Sequence, residues 1–350
     1  KGGENYAIIT SLALRQCVAA NKLVADFDGT PLVFSKENFS NGCMGTVDVI
    51  YPASPFFLYF NLELMKANLT PVLIYANSHK WKFPFAPHDL GQYPLANGQE
   101  YGGREETETN QMPVEESGDM IIMLSAIAFK ENNTSFADKY WNLVSQWAEY
   151  LKNKGLDPEH QLCTDDFAGH LAHNVNLSVK AIIALECYSK MCAMKNLKEE
   201  SDVYHNLAKE YVKKWIQMAD DGDHYKLAFD KPGSWSQKYN LVWDELLELN
   251  LFPKEVIQKE IKFYLTKMNK YGLPLDSRKE WTKLDWILWT ATAAEKKEDF
   301  EKIIAPIVDF LNDTPNRVPM TDFYWTHDGK HVRFQARSVI GGVFIKMLVK

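Results

Sequence analysis

The chain is poor in the features that mark disulfide frameworks, zinc sites and membrane spans. Its 350 residues include five cysteines, none of which forms a CxxC pair. The odd number argues against a complete disulfide framework, and no zinc site is predicted. The longest apolar run, residues 120–129, is interrupted by Ser125 and is about half as long as the roughly 20 residues that a bilayer requires. We therefore expect no membrane insertion.

The sequence also lacks an excess of positive charge. It has 39 Lys and Arg residues against 46 Asp and Glu residues, a formal net charge of −7. Because nucleic-acid-binding surfaces neutralise phosphates with basic side chains, the absence of a basic stripe argues against a nucleic-acid partner. No signal peptide is visible, and the abrupt start KGGENYAII predicts that the chain belongs to a longer protein with flanking domains.

Aromatic and apolar residues, in contrast, are abundant. Hydrophobic residues make up 46% of the chain, and there are ten Trp and sixteen Tyr. This composition can fill one large core, so residues 1–350 are predicted to form a single domain. The number of rings exceeds what packing alone usually requires, and we expect some of them to line a cleft for a polar, partly apolar ligand.

Apolar residues recur at helical spacing through most of the chain. The pattern predicts twelve helices, at residues 3–22, 55–67, 69–79, 114–130, 135–153, 173–194, 199–219, 236–249, 254–268, 282–295, 298–311 and 336–349. Residues 31–55 are expected to form a loop with short extended pieces. Long loops rich in acids and aromatics alternate with short, plain connections between the predicted helices.

This alternation indicates a repeated helical hairpin. Five consecutive hairpins run from residue 55 to residue 311, and the first and last helices remain to pair with each other. The prediction is an all-α (α/α)6 toroid with its long loops on one face. An open helical solenoid is the alternative, but its loops are expected to be shorter and to contain fewer acidic and aromatic residues.

Several motifs resemble one known family. They are PVEESGDM, CTDDFAGHLAHNVNLSVKAI, DDGDHYKLAFDKPGSWSQKYNLVWD and LPLDSRKEWTKLDWILWTAT, supported by FSKENFSNGCMGTVDVIYPASP and by FQARSVIGGVFIKML near the end. Together they resemble the glutaminase A family, whose members carry a six-helical-hairpin domain. The resemblance implies a glycosidase-like toroid, hydrolysis of the side-chain amide of L-glutamine, and a secreted or periplasmic enzyme.

Paired carboxylates are the strongest chemical signal from the residues themselves. Glu115 and Glu116 open a predicted helix, and Asp165 and Asp166 precede another. Two facing acids can act as general acid and base, the pair that glycosidases use, so these four residues are the predicted catalytic groups. The alternative is that they cap helices, since acids are favoured at the first turn.

Covalent catalysis is a weaker prediction. The loop candidates for a nucleophile are Ser117, Cys163, Thr164, Ser234 and Ser236. None stands in a Ser-x-x-Lys or Gly-x-Ser-x-Gly pattern. The neighbouring acids are expected to raise the pKa of Cys163, which would oppose formation of a thiolate.

Further loop residues are predicted to bind substrate. These are His88, Asp89, Trp235, Lys238, Tyr239, Asp244, Lys283 and Asp285. A His beside an acid can bind substrate or move a proton, and a Lys among aromatics can bind a substrate oxygen. Trp235 is expected to be exposed at the start of its helix. The alternatives are a loop His held by hydrogen bonds, core aromatics and solvated lysines.

No cofactor or metal is predicted. His170 and His173 could join Asp165 and Asp166 in a metal site, or the two acids could hold Ca²⁺, but the spacing matches no specific motif. Three functions stay open at this point: a glutaminase-like hydrolase, a glycoside hydrolase with a carboxylate pair, and a non-catalytic toroid that binds sugar or peptide. The expected ligand is small and polar, either glutamine or a terminal sugar.

Overall fold

The structure is a computed structural model that describes residues 1–317 and 319–350. Its α-helices are α1 (Gly3–Ala19), α2 (Val47–Phe60), α3 (Leu62–Ala76), α4 (Pro113–Glu131), α5 (Ser135–Asp138), α6 (Trp141–Lys154), α7 (Val175–Met194), α8 (Lys198–Ala219), α9 (Val242–Leu246), α10 (Lys254–Tyr264), α11 (Leu284–Thr292) and α12 (Lys297–Asp313). Three 3-10 helices span Asp166–Ala168, Tyr239–Leu241 and Ser338–Leu348. Two antiparallel pairs join the strands β1 (Asn21–Ala25) with β2 (Pro31–Ser35) and β3 (Trp281–Lys283) with β4 (Phe323–Trp325).

Six elements form a closed inner ring. Helix α2 contacts α4, which contacts α7, and α7 contacts the 3-10 helix Tyr239–Leu241. That segment contacts α11, which contacts the 3-10 helix Ser338–Leu348, and this last element returns to α2. Helix α1 packs on Ser338–Leu348 and on α12, as predicted for the two ends of the chain. The contacts confirm the predicted (α/α)6 toroid, because the ends of an open solenoid would not meet.

Inner and outer helices differ in how they are buried. Every residue from Val114 to Ala128 in α4 is buried, as expected for a helix surrounded by others. Outer helix α8 buries only one stripe, which consists of Tyr204, Ala208, Val212, Trp215 and Ala219. No helix in the described residues is both long and apolar enough to cross a membrane.

The prediction was wrong about where the first inner helix begins. Helix α2 starts at Val47, inside the segment predicted as a loop, and the break before α3 is at Asn61. Two prolines, Pro52 and Pro55, lie inside α2. Because proline normally interrupts a helix interior, the sequence did not predict a helix here. The predicted helix 135–153 is likewise interrupted between α5 and α6.

Two other inner elements are not regular α-helices. Residues 236–238 are not helical, since Ser236 pairs with Asp276 in an isolated β-bridge, and only the 3-10 helix Tyr239–Leu241 and the five-residue α9 follow them. The predicted helix 336–349 is the 3-10 helix Ser338–Leu348. Gly341 and Gly342 allow it to lie against α2, where an added Cβ atom would be 2.8 Å from the carbonyl oxygens of Ala53 and Pro52, respectively.

Candidate active site

Carboxylates gather where the inner elements begin. Asp48 lies in the first turn of α2, Glu115 and Glu116 lie in the first turn of α4, and Asp166 begins the 3-10 helix ahead of α7. The positive end of a helix dipole favours acids at these positions. We call the following residues the axial cluster: Asp48, His88, Glu115, Glu116, Asp119, Asp165, Asp166 and Lys180.

One side of the axial cluster consists of Asp48, His88 and Glu116. One side-chain N or O atom from each lies within 4.8 Å of those from the other two. His88 Nε2 is 3.6 Å from Asp48 Oδ1, and His88 Nδ1 is 2.9 Å from Asp89 Oδ2. Burial opposes the charged imidazole, but the carboxylates of Asp48 and Asp89 raise the pKa of His88 to about 9. Burial raises the pKa of Asp48 to about 7, although His88 opposes the shift.

Glu116 is the acid of this group with the fewest polar contacts. Its side chain is buried, and neither carboxylate oxygen has a hydrogen-bond partner among the described residues. Burial, reinforced by the charges of Asp48 and Asp119, raises the pKa of Glu116 well above its usual range. The shift favours the neutral form of the carboxyl group over the carboxylate as long as no cation lies beside it.

Glu115, by contrast, is held in a buried ion triad. Lys180 extends from α7 to α4, where its Nζ contacts Glu115 and lies 2.5 Å from Asp119 Oδ1. The same Nζ is 4.2 Å from the centre of the Tyr51 ring. Burial raises the pKa of Asp119 well above its usual range, against the attraction of Lys180. Lys180 thus joins α7 to the start of α4 and holds the Glu115 carboxylate in a buried ion pair.

Asp165 lies on the other side of the cluster and is partly exposed. Its Oδ2 accepts a hydrogen bond from the Tyr239 hydroxyl at 3.1 Å, and its Oδ1 accepts one from Trp286 Nε1 at 3.2 Å. The two rings stack with their centroids 4.0 Å apart. Burial raises the pKa of Asp165 to about 7, although Arg278 and Lys283 oppose the shift. The carboxyl group is therefore oriented, reachable from solvent and close to half-protonated at neutral pH.

Asp166 is joined to His88 through Tyr101. The Tyr101 hydroxyl donates to Asp166 Oδ2 at 2.7 Å, and the Tyr101 ring stacks on His88 with centroids 4.4 Å apart. Asp89 supports this loop by accepting hydrogen bonds from the backbone amides of Gly91, Glu100 and Tyr101. Asp166 is partly exposed, so two neighbouring acids of one loop face two different sets of partners.

Lys283 and Asp285 belong to a buried ion network beside the cluster. Lys283 Nζ lies 3.2 Å from Asp285 Oδ1 and 2.9 Å from Asp322 Oδ2. Arg337 continues the network to Asp322 and, at 3.7 Å, to Glu37. Burial raises the pKa of Asp285 to about 6, whereas Arg337 and Lys283 overcome burial and lower the pKa of Asp322. The network joins α11 to the chain on either side of it and holds Lys283 near Asp165.

Two predicted binding residues, Asp244 and Lys238, do not belong to this site. Asp244 accepts hydrogen bonds from the backbone amides of Leu251 and Phe252, both at 2.9 Å, so it stabilises the turn between α9 and α10. Lys238 is buried and donates to the carbonyl oxygens of Tyr225 and Ser236. Both predictions are corrected, because these side chains satisfy local backbone groups.

Trp235 was expected to be exposed, and this was also wrong. Only 9% of its surface is accessible, and its ring packs edge-on against Phe263 with centroids 5.7 Å apart. In the described part of the chain, no hydrogen bond or ring contact joins Trp235 to the carboxylates, whereas the hydroxyl of Tyr239, four residues later, donates to Asp165. The helical spacing that placed both rings on one face does not apply, since residues 236–238 are not helical.

Among the described residues, three of the candidate nucleophiles, Cys163, Ser236 and Ser117, have no activating base. Burial, followed by the charge of Asp165, raises the pKa of the Cys163 thiol well above its usual range, and all five cysteines are free and buried. Ser236 Oγ is 3.2 Å from Lys238 Nζ, but this ammonium already donates to two carbonyl oxygens. Ser117 Oγ accepts from the Ala86 amide. These contacts are those of packed, structural side chains.

The two histidines considered for a metal site have separate partners. His173 Nδ1 is 2.7 Å from Asp157, and the His170 ring stacks on His160. Within the described ranges, the only group of at least three residues with suitably close ligand atoms is Asp48, His88 and Glu116.

Comparison with known proteins places the chain in a family. A family model described as the glutaminase A six helical-hairpin domain matches residues 3–347. The chain belongs to the glutaminase A six-hairpin family. The resemblance predicted from the motifs is thereby confirmed.

Named relatives of this glutaminase A family chain are fungal. It is 36% identical over 357 aligned residues to glutaminase A of Aspergillus oryzae, an alignment that covers 99% of this chain and 50% of the relative. It is 30% identical to a probable glutaminase of Arthroderma benhamiae, over 97% of this chain and 49% of the relative. The chain therefore spans about half the length of the curated relatives that it matches.

Solved structures similar to this family member share its fold at low sequence identity. An α-mannosidase of Streptococcus pneumoniae, from a family described as metal-independent, superposes with a TM-score of 0.68 at 11% identity, over 98% of this chain and 93% of that chain. A mannosylglycerate hydrolase of Thermus thermophilus superposes with a TM-score of 0.63 at 8% identity, over 97% and 99% of the two chains. At such identities the likeness concerns the toroid alone.

Sequence reasoning missed several residues of the site in this family member. Lys180 stands alone in the apolar stretch LSVKAIIAL, and a single charge on a helix that is otherwise apolar all round is a signal for a buried ion pair. Asp119 lies one turn after Glu115 in α4 and could have been found with it. Asp48 was concealed by the two prolines of α2, and nothing in the loop sequence distinguishes Tyr101.

Proposed function

We propose that this chain is a hydrolase domain that uses Asp165 as general acid and Asp166 as general base. The state of Asp165 carries the proposal: it is oriented by Tyr239 and Trp286, partly exposed, and raised in pKa to about 7. A catalytic acid is most effective when its pKa is near the working pH. Asp166, held by the Tyr101 hydroxyl, is the adjacent partly exposed carboxylate that can accept a proton from water.

Acid–base chemistry is favoured over a covalent acyl intermediate. The buried thiol of Cys163 has a raised pKa. Lys238 donates hydrogen bonds to two backbone carbonyl oxygens and is therefore not available as a base for Ser236. A general acid that protonates a leaving oxygen and a base that activates water are the minimum that glycosidic hydrolysis needs. We therefore propose a glycosidic bond, in a small or terminal sugar, as the first candidate for cleavage.

The side-chain amide of L-glutamine is the second candidate. It is supported by the name of the Aspergillus oryzae relative, which is 36% identical over almost the whole chain. Amide hydrolysis also needs a donor for the oxyanion that forms on the carbonyl. Arg278 is a candidate, because it is partly exposed and its charge acts on Asp165, but its guanidinium is already paired with Asp276 at 2.6 Å.

We propose that residues 1–350 are one toroid domain of a longer protein, which the half-length match to the curated relatives supports. We also propose the secreted or periplasmic location implied by the family resemblance. Limited proteolysis of the full-length protein and fractionation of the source cells are the respective tests.

The experiment compares Asp165→Asn and Asp166→Asn on glutamine and on aryl glycosides. Each change should lower kcat/KM by about 10²–10⁴ on the substrate that the parent accepts. On 2,4-dinitrophenyl glycosides, whose leaving group needs no proton, Asp165→Asn should recover most of the lost rate and Asp166→Asn should not. Glu210→Gln, an exposed acid on α8 paired with Lys214, is the matched control and should behave like the parent.

Either of two results would contradict the assignment. If Asp165→Asn keeps its activity on substrates with poor leaving groups, Asp165 is not the acid. If the parent hydrolyses glutamine and no glycoside, the second candidate replaces the first. The leaving-group comparison is then repeated with γ-glutamyl anilides, in which a substituted aniline replaces the side-chain ammonia of glutamine.

A further inference from the structure

We propose that Asp48, His88 and Glu116 form a binding site for one divalent transition-metal ion. Three elements converge here: α2 supplies Asp48, the loop before α4 supplies His88, and α4 supplies Glu116. The mutual separation of their ligand atoms is at most 4.8 Å, and Nε2 of His88 is 3.6 Å from Oδ1 of Asp48. Two ligands at about 2.0–2.1 Å from a tetrahedral ion are about 3.3 Å apart, close to this separation.

The unpaired carboxylate of Glu116 supports a metal site independently of these distances. It is 1% exposed, and both carboxylate oxygens lack a hydrogen-bond partner among the described residues. Buried carboxylates are normally paired, hydrogen-bonded or bound to a metal. The two nearby Lys and Arg side chains are engaged elsewhere, because Lys180 contacts Glu115 and Asp119, and Arg337 contacts Asp322 and Glu37.

His88 is oriented as a metal ligand usually is. Its Nδ1 faces Asp89 Oδ2 at 2.9 Å, which directs Nε2 toward Asp48 and Glu116. Asp89 is itself fixed by three backbone amides, from Gly91, Glu100 and Tyr101. An acid that holds the far nitrogen of a ligating histidine is a common outer-shell arrangement. A bound ion would replace the proton on Nε2 and would satisfy the oxygens of Glu116.

The donor set favours zinc or manganese over calcium or magnesium. One imidazole nitrogen and two carboxylates give mixed ligands, whereas Ca²⁺ and Mg²⁺ prefer oxygen alone. A neutral imidazole with two carboxylates carries two negative charges, which one divalent cation balances. The three residues are distinct from Asp165 and Asp166, so this site does not depend on the proposed acid–base pair.

The test measures metal content rather than activity. Tag-free protein is stripped with EDTA, incubated with excess ZnCl₂ or MnCl₂, desalted and analysed by plasma mass spectrometry, with the melting temperature recorded in parallel. We expect one metal ion per chain and a higher Tm in the loaded parent. Glu116→Gln and His88→Gln should lose both effects. His327→Gln is the matched control, since His327 is an exposed histidine beside Glu280 and Asp328 and should not affect uptake.

Each other outcome overturns the proposal. A parent that retains less than a tenth of an equivalent of either metal, with no change in Tm, has no such site, and His88 then serves as a protonated partner of the acids. Uptake that persists in Glu116→Gln but disappears in His327→Gln would be surface chelation. If a variant does not fold, a crystal of the parent soaked in ZnCl₂ decides: the anomalous peak must lie between the three side chains.

Discussion

The hydroxyl of Thr164 donates to the carbonyl oxygen of Asp48 at 3.4 Å. This oxygen lies four residues before Pro52, which has no amide hydrogen to donate to it within α2. The partly exposed Thr164 therefore replaces a missing helical hydrogen bond. The contact joins the loop that carries Asp165 to the first turn of α2, so the two sides of the axial cluster are fixed to each other.

We expect Thr164→Val to weaken this connection. The substitution keeps the shape but removes the donor, so the free energy of unfolding should fall by about 0.5–1.5 kcal/mol. Catalytic efficiency should fall as well, because the loop that bears Asp165 loses a tether. Urea unfolding and kcat/KM measure the two effects, and Thr164→Ser, which keeps the hydroxyl, should restore both. A valine variant identical to the parent in both measurements would show that the bond has no role.

The toroid was predictable from the sequence because its evidence is repeated. Each hairpin gives its own helical periodicity, so an error of several residues in one helix leaves the count of hairpins unchanged. The position of Asp48 depended on one boundary, and Pro52 and Pro55 obscured it. A proline inside a helix is tolerated when another group, here Thr164, satisfies the released carbonyl, and that partner is distant in sequence.

The candidate site was predictable only in part for a similar reason. Acids ahead of inner helices were expected at one end, and the structure places Glu115, Glu116, Asp165 and Asp166 there. Asp244 resembles these acids in its sequence context, yet it accepts hydrogen bonds from two backbone amides in a turn. Whether an acid faces a cleft or caps the backbone depends on its neighbours in space, which local sequence does not specify.

Loss of the buried ammonium should destabilise the toroid strongly. Lys180→Met leaves Glu115 and Asp119 without their cation, and removing one partner of a buried ion pair costs about 3–5 kcal/mol. Lys190→Met is the control on the same helix, since the Lys190 side chain is 44% exposed and its pairing with Glu186 should contribute at most about 1 kcal/mol. Chemical denaturation measures both. Equal losses in the two variants would mean that the triad adds nothing beyond a surface pair.

A single methyl group should disturb the closure of the inner ring. In Gly341→Ala the new Cβ would lie 2.8 Å from the carbonyl oxygen and 3.1 Å from the Cα of Ala53, both backbone atoms of α2. We expect a loss of about 1–3 kcal/mol, as for other overpacked positions. Lys346→Ala, at a partly exposed position of the same element, should change stability by about 0.5 kcal/mol or less. Thermal unfolding of both proteins checks the prediction, which fails if Gly341→Ala melts with the parent.

Asp165 should make the stability of the protein depend on pH in a specific direction. Its pKa is about 7 in the folded chain, raised by burial against Arg278 and Lys283, and about 3.9 when unfolded. Between these values the folded state binds more protons than the unfolded state, so this group lowers the free energy of unfolding as the pH rises from about 4 to about 7. Below about pH 4 the contribution of Asp165 to the free energy of unfolding is constant, and above about pH 7 the loss of stability is complete.

Asp165→Asn removes this loss, because an amide does not ionise. The variant should therefore gain stability over the parent with rising pH, reaching about 1–3 kcal/mol at pH 8 once partial exposure is allowed for. Asp28→Asn should show the opposite sign: hydrogen bonds from Thr30 lower the pKa of Asp28, so the native acid stabilises the fold at neutral pH and loses that effect as the pH falls through its folded pKa. Urea titrations of the three proteins from pH 2 to pH 9 test both signs, because the effect of Asp28 falls below its unfolded pKa of about 3.9. A parent and an Asp165→Asn variant whose stabilities differ by a constant amount across this range would show that Asp165 does not titrate near neutrality, and the assignment of Asp165 as general acid would fail with it.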